Sequence, residues 1–127
     1  MLTNITPNLM VENVKKTMDF YKNVLEFSII DSVPNNEGNF DFAILSKDQC
    51  TLMLQKKESL IEEYPILETD QVKPSLSLFF LTDDITKIAA LVKKKAPFLK
   101  EIHETSYGTK EFAIADNNGY VLTFAEK

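Results

Sequence analysis

Two stretches decide how this chain reads: Leu9-Met10-Val11-Glu12-Asn13-Val14 and, 71 residues further on, Phe80-Leu81-Thr82-Asp83-Asp84-Ile85. In each, strand-like apolar patterning gives way to helical spacing directly after a residue type that caps helices. Upstream of the first switch, Ile5, Leu9 and Val11 fall on one alternating face; downstream, Val14, Met18, Tyr21 and Leu25 recur at helical intervals. Upstream of the second, Leu76 to Thr82 is a nearly unbroken apolar run; downstream, Ile85, Ile88, Ala89 and Val92 make one apolar stripe. Asn13 and Asp84 each stand where a side-chain oxygen can accept an orphan amide of the first turn. The spacing therefore predicts helices over 14–25 and 85–95. Lys93, Lys94 and Lys95 in the last turn of the second suit the helix dipole, and Pro97 stops it.

Three strand-like segments follow each helix. After the first they are Phe27 to Val33, Phe40 to Leu45 and Cys50 to Gln55, divided by the turn-rich residues 34–39 and 46–48; after the second they are Phe98 to Glu104, Lys110 to Ala115 and Tyr120 to Phe124, the last preceded by the turn Asp116-Asn117-Asn118-Gly119. Residues 56–74 are polar and acidic, with a short helix expected near Leu60 and Ile61. The order β-α-β-β-β thus occurs twice, an internal duplication. The expected fold is α+β: two tandem units, about 5–56 and 75–127, joined by a connector over 57–74 within one domain of residues 1–127. They would form a curved, partly closed mixed sheet around a central cavity, helices outside. Strands apolar on both faces would lay one face on a helix and turn the other toward that cavity, the default place for a ligand.

Composition excludes several classes. The chain of 127 residues is 44% apolar and 26% charged, the balance of one ordinary soluble domain with a real core. All 14 basic residues are lysine and the net charge is -5, which argues against binding a nucleic-acid backbone and leaves any anion to lysine or backbone amides. A lone cysteine, Cys50, allows neither an internal disulfide nor a thiolate metal cage, and suits a reducing cytoplasmic setting. Met1 to Pro7 lacks the features of a signal peptide, and no stretch approaches the length of a membrane span.

On this duplicated frame, four short motifs resemble the vicinal oxygen chelate superfamily, which includes glyoxalase I, extradiol dioxygenases, fosfomycin resistance enzymes and bleomycin-binding resistance proteins. They are Leu9 to Val14 running on to Phe20-Tyr21-Lys22-Asn23-Val24-Leu25, then Phe80 to Ile85, then Tyr107-Gly108-Thr109-Lys110-Glu111-Phe112, and Asp116-Asn117-Asn118-Gly119-Tyr120. One departure is Glu26, where the family often has the glycine that ends the first helix, so a less regular helix end is expected there. The resemblance implies that members doing chemistry hold one divalent metal with histidine and glutamate on the first and last strands of each unit. Here those positions fall on Thr6, Gln55, Ser77 and Thr123, and a slip of one residue supplies no better donor. No metal and no other cofactor is therefore expected.

Strand alternation places Thr6, Asn8 and Met10, Thr51, Met53 and Gln55, Ser77, Phe79 and Leu81, and Val121 and Thr123 on the inner faces. Small hydroxyls, an amide, methionines and aromatics would suit a planar apolar ligand. The candidate binding residues are Thr6, Met53, Gln55, Ser77, Phe79, Tyr107 and Thr123, with Tyr107 near the mouth; the bland reading is that these side chains simply fill the space. His103 reads as a general base or, more simply, as a surface histidine on a strand edge. On the third strand either Phe40 and Phe42 or Asp41 must face inward. Cys50 reads as a small hydrophobe, since an activated thiolate needs a positive neighbour and only Lys47 is near.

The reading that unites these signals is a metal-free small-molecule binding protein resembling the bleomycin resistance type, sequestering an aromatic or cationic compound, with a homodimer as its assembly and no nucleic-acid or membrane partner. The alternatives are a lyase, isomerase or dioxygenase with an atypical site, and a structural or regulatory domain with a vestigial cavity.

Overall fold

A computed structural model describes residues Met1–Lys127, which divide into two units, Met1–Lys73 and Pro74–Lys127. In the first, strand β1 (Asn8–Val11) leads into helix α1 (Val14–Leu25), followed by β2 (Ser28–Pro34), β3 (Phe40–Lys47) and β4 (Cys50–Lys56). Helix α2 (Lys57–Glu63) and a 3-10 turn at Pro65–Leu67 occupy the connector, the helix falling where Leu60 and Ile61 suggested. In the second unit, β5 (Ser77–Leu81) leads into α3 (Ile85–Lys93), followed by β6 (Lys100–Glu104), β7 (Lys110–Ala115) and β8 (Val121–Glu126). The result is α+β, with each unit built as β-α-β-β-β around an open four-stranded mixed sheet. The strand orders are β1-β4-β3-β2 and β5-β8-β7-β6, with the first pair parallel in each and the others antiparallel.

Both caps act as their residue types require. The Lys16 amide donates to Asn13 Oδ1 at 3.0 Å and the Lys87 amide to Asp84 Oδ1 at 3.1 Å. Each helix start also gains an acceptor from elsewhere in its unit, Asn39 Oδ1 for the Lys15 amide and Glu126 Oε1 for the Ile85 amide. Helix α1 buries Val14, Met18, Tyr21, Val24 and Leu25, while Leu9, Val11, Ala43, Leu45, Leu52 and Leu54 form the buried set of its sheet. In the second unit α3 buries Ile85, Ala89 and Val92. The sheet there carries a ladder of stacked rings, Phe80 on Phe124 and Phe124 on Phe112 with centroids 5.0 Å apart, and Phe112 on Phe98 at 4.8 Å.

Several boundaries differ from the expected ones, most of the strand ends by one or two residues. Helix α3 ends at Lys93 rather than Lys95: the Lys95 and Ala96 amides both turn back to the Val92 carbonyl, since Pro97 disfavours helical backbone just before it and three adjacent ammonium groups repel. Strand β1 begins at Asn8, not Ile5, and the Pro7 carbonyl accepts the Met53 amide at 2.8 Å while Pro7 has no N–H to return. Strand β6 begins at Lys100, because Phe98 is committed to the ring ladder.

The end of α1 carries a strained residue. Glu26 takes the left-handed conformation (φ 60°, ψ 35°) that glycine would adopt freely, and its amide and that of Phe27 both donate to the Tyr21 carbonyl. Its contact with Lys47, at 3.7 Å and partly exposed, offsets little of that cost. Glu26→Gly is expected to stabilise the protein by about 1 kcal/mol; chemical denaturation checks it, and an unchanged or lowered midpoint would show that the backbone strain is absorbed elsewhere.

Candidate functional site

Each sheet gives one face to its helix, and the candidate residues lie on the other. In the first unit that open face carries Asn8 and Met10 from β1, Thr51, Met53 and Gln55 from β4, and Phe42 and Ile44 from β3. The register sets Asn8 beside Met53, Met10 beside Gln55, Gln55 opposite Phe42 and Met53 opposite Ile44. Thr6 is half-buried two residues ahead of β1, outside the strand. Phe42 therefore faces the candidate side and Asp41 does not; the Asp41 carboxylate instead accepts from Asn35 Nδ2 at 3.1 Å.

Gln55 is 9% exposed and tightly engaged. Its Nε2 donates to Ser59 Oγ at 3.0 Å and to Glu63 Oε1 at 3.3 Å, and its Oε1 accepts from Asn8 Nδ2 at 2.9 Å. Helix α2 thus secures one end of this face, a role the sequence reading missed. The signal was there in Ser59 and Glu63, one helical turn apart directly after β4.

In the second unit the open face carries Ser77, Phe79 and Leu81 from β5, Val121, Thr123 and Ala125 from β8, Glu111, Ala113 and Ala115 from β7, and His103 from β6. Three of the candidates, Ser77, Phe79 and Thr123, are brought together here, Phe79 lying directly beside Thr123. Phe79 is 55% exposed and Leu81 62%, whereas Ala125, Ala113 and Glu111 on the neighbouring strands are buried. His103 is exposed on the edge strand, with Nδ1 2.8 Å from the Glu101 carbonyl oxygen, and sits across from Glu111.

Tyr107 is 68% exposed in the β6–β7 turn, but its hydroxyl is not free. It donates to Glu111 Oε2 at 2.6 Å, and the Thr109 hydroxyl donates to the same oxygen at 2.9 Å; Thr109 in turn lies 2.7 Å from the Thr105 hydroxyl. The hydrogen bond to Glu111, followed by burial, holds the Tyr107 phenol above its ordinary range. Glu111 is 7% exposed. In the sequence its one signal is that it shares the alternation of Ala113 and Ala115, which sets a carboxylate on their face.

The donors do not fit a divalent metal. Thr6, Gln55, Ser77 and Thr123 offer hydroxyls and one committed amide, and no three histidine, cysteine, aspartate or glutamate side chains stand close enough together to hold an ion. The recess of about 260 Å³ beside the start of α1 is likewise spoken for: its lining includes Asn13 and Asn39, which accept the helix amides, and Lys56, which pairs with Glu37 at 3.1 Å. That bond holds Lys56 above the ordinary lysine range.

Cys50 opens β4 half-buried, and burial, then Asp48, push its thiol up. The thiolate is the reactive form, so iodoacetamide should alkylate the native protein at neutral pH more slowly than it alkylates free cysteine; an equal or faster rate, followed by mass spectrometry, would mark an activated thiol instead.

The sequence profile of the Glyoxalase/Bleomycin resistance protein/Dioxygenase superfamily matches residues 4–124. Among curated proteins no sequence matches. The fold is shared with TioX from Micromonospora sp. ML1, at 13% identity over 98% of both chains with a TM-score of 0.77. It is shared as well with a glyoxalase/bleomycin resistance protein/dioxygenase from Nocardioides, at 11% identity over 99% of this chain and 84% of that one, TM-score 0.82. A virulence protein from Salmonella typhimurium is similar at 20% identity over 99% and 98% of the two chains, TM-score 0.70. No helix of the chain is long and apolar enough to cross a membrane. With the profile spanning nearly every residue and the twice-built β-α-β-β-β frame beneath it, the chain belongs to the Glyoxalase/Bleomycin resistance protein/Dioxygenase superfamily.

Proposed function

We propose that this protein binds a small molecule with a planar apolar or aromatic body and holds it without a metal and without changing it. The observation that carries the reading is the open face of the second unit: Phe79 and Leu81 are more than half exposed beside half-buried Thr123, on a sheet whose opposite face is filled by the ring ladder. An aromatic ring and a hydroxyl side by side suit a ligand that buries a flat surface and makes a hydrogen bond. Ser77 and Tyr107 flank them, and Thr6, Met53 and Gln55 provide the corresponding surface on the first unit. A second copy of the chain closes these faces from solvent, in keeping with exposed Phe79 and Leu81. The single half-buried thiol fits a reducing, cytoplasmic setting.

A second reading, a lyase, isomerase or dioxygenase, draws on the cross-strand placement of His103 and Glu111, the residue types of acid–base chemistry. Titration calorimetry with a planar aromatic compound found by screening separates the two. Phe79→Ala should weaken binding by about 1 to 3 kcal/mol, the scale of a lost apolar contact, and His103→Ala should leave it unchanged. Turnover abolished by His103→Ala, with binding indifferent to Phe79→Ala, would favour catalysis.

The donor set makes a second demand. Purified protein should carry no stoichiometric divalent metal, and a chelator should leave its melting temperature unchanged, because a bound ion would stabilise the native state by mass action. Elemental analysis finding about one zinc, nickel, iron or manganese per chain would overturn the metal-free reading.

A further inference from the structure

We infer that the open face of the first unit reads a hydrogen-bond donor on the ligand, with Asn8 Oδ1 as the acceptor and Glu63 as the residue that turns it outward. The inference rests on the small-molecule reading above and adds the polarity that the edge of the ligand must carry. The signal is the direction of a short chain of side chains. Gln55, 9% exposed, stands between a carboxylate, which can only accept, and a second amide. Its Nε2 donates to Glu63 Oε1 at 3.3 Å and to Ser59 Oγ at 3.0 Å, and its Oε1 accepts from Asn8 Nδ2 at 2.9 Å.

Only one sense of this chain is favourable. Reversing Gln55 would set its carbonyl oxygen against the Glu63 carboxylate, two acceptors with no proton between them, and would require Asn8 to reverse as well. The Ser59 hydroxyl can donate or accept, so it fits either sense. Glu63 therefore orients Gln55, and Gln55 orients Asn8: Nδ2 faces Gln55, and Oδ1 accepts from no group of the protein. Bonds in such a chain polarise one another, which makes the terminal oxygen a better acceptor. Its surroundings suit a flat ligand. Asn8 is exposed, and Met53 and Ile44, both half-buried, continue its row across β4 and β3. A ring laid over Met53 and Ile44 brings an N–H or O–H on its edge to Asn8, one strand spacing or about 5 Å away.

The test uses two neutral bicyclic probes of the same shape, indole and benzofuran, which carries an oxygen in place of the N–H, titrated into the full chain. The wild-type protein should bind indole about fivefold more tightly, the scale of one hydrogen bond. Asn8→Ala should abolish that preference while binding benzofuran as the wild type does. Glu63→Gln should weaken it, since a second amide at that position can donate or accept and lets the chain run in either sense; a side chain that only fastened α2 would leave the ratio of the two affinities unmoved. Equal binding of both probes by the wild type, or a preference that survives intact in either variant, overturns the donor-reading role while leaving the small-molecule reading in place. Binding of neither probe by the wild type overturns it together with the planar-ligand reading beneath it. Glu63 is exposed at the end of α2, so its variant decides the question even where Asn8→Ala does not fold.

Discussion

Pleating sends alternate side chains of a strand to opposite faces, and each four-stranded sheet of this protein has one long helix to cover one of them. Everything chemical about the chain follows from that constraint. In the second unit Phe80, Phe124 and Phe112 meet as directly paired residues and stack, joined by Phe98, on the face away from the site. A register slip of one residue would turn those rings out and Phe79, Thr123 and Glu111 in. The ladder therefore locks the identity of the open face as firmly as it fills the core.

The two units share an order of elements and differ in what they do with the uncovered face. In the first, polar groups satisfy one another: Asn8, Gln55, Ser59 and Glu63 form a chain of hydrogen bonds that holds α2 against the end of β4. In the second, the face carries exposed Phe79 and Leu81, with the Tyr107–Thr109–Glu111 cluster at its far side. Buried polar groups require partners; helix α2 supplies them in the first unit, and the β6–β7 turn supplies them to Glu111 in the second.

The acidic connector is fastened to the first unit through its own side chains. Lys57 reaches the Asp70 carbonyl and lies 3.4 Å from Glu12 and 3.5 Å from Glu58, while Glu12 also accepts the Val72 amide at 2.7 Å. These contacts strap residues 57–72 back to the junction of β1 and α1. Most of the remaining ion pairs, such as Lys15 with Asp19, are exposed and contribute little individually.

Local signals settled the elements of this protein. Helix α1 runs from Val14 to Leu25 and β7 from Lys110 to Ala115, as the spacing predicts, because period and capping chemistry act within a few residues of each other. The duplicated switch at Asn13 and Asp84 was enough to establish the α+β frame and the resemblance that came with it, and strand alternation was enough to divide the two faces. The sequence did not show which polar groups find each other. Gln55 looked like an open ligand position until α2 supplied Ser59 and Glu63, Asp41 was an even choice against Phe42 until register resolved it, and Glu111 became a candidate only when Tyr107 and Thr109 closed on it. Alternation fixes the side of a sheet on which a residue lies, since it depends on the backbone alone; hydrogen-bond partners depend on turns and registers that bring distant atoms within 3 Å or so, and those exist only once the tertiary structure has formed.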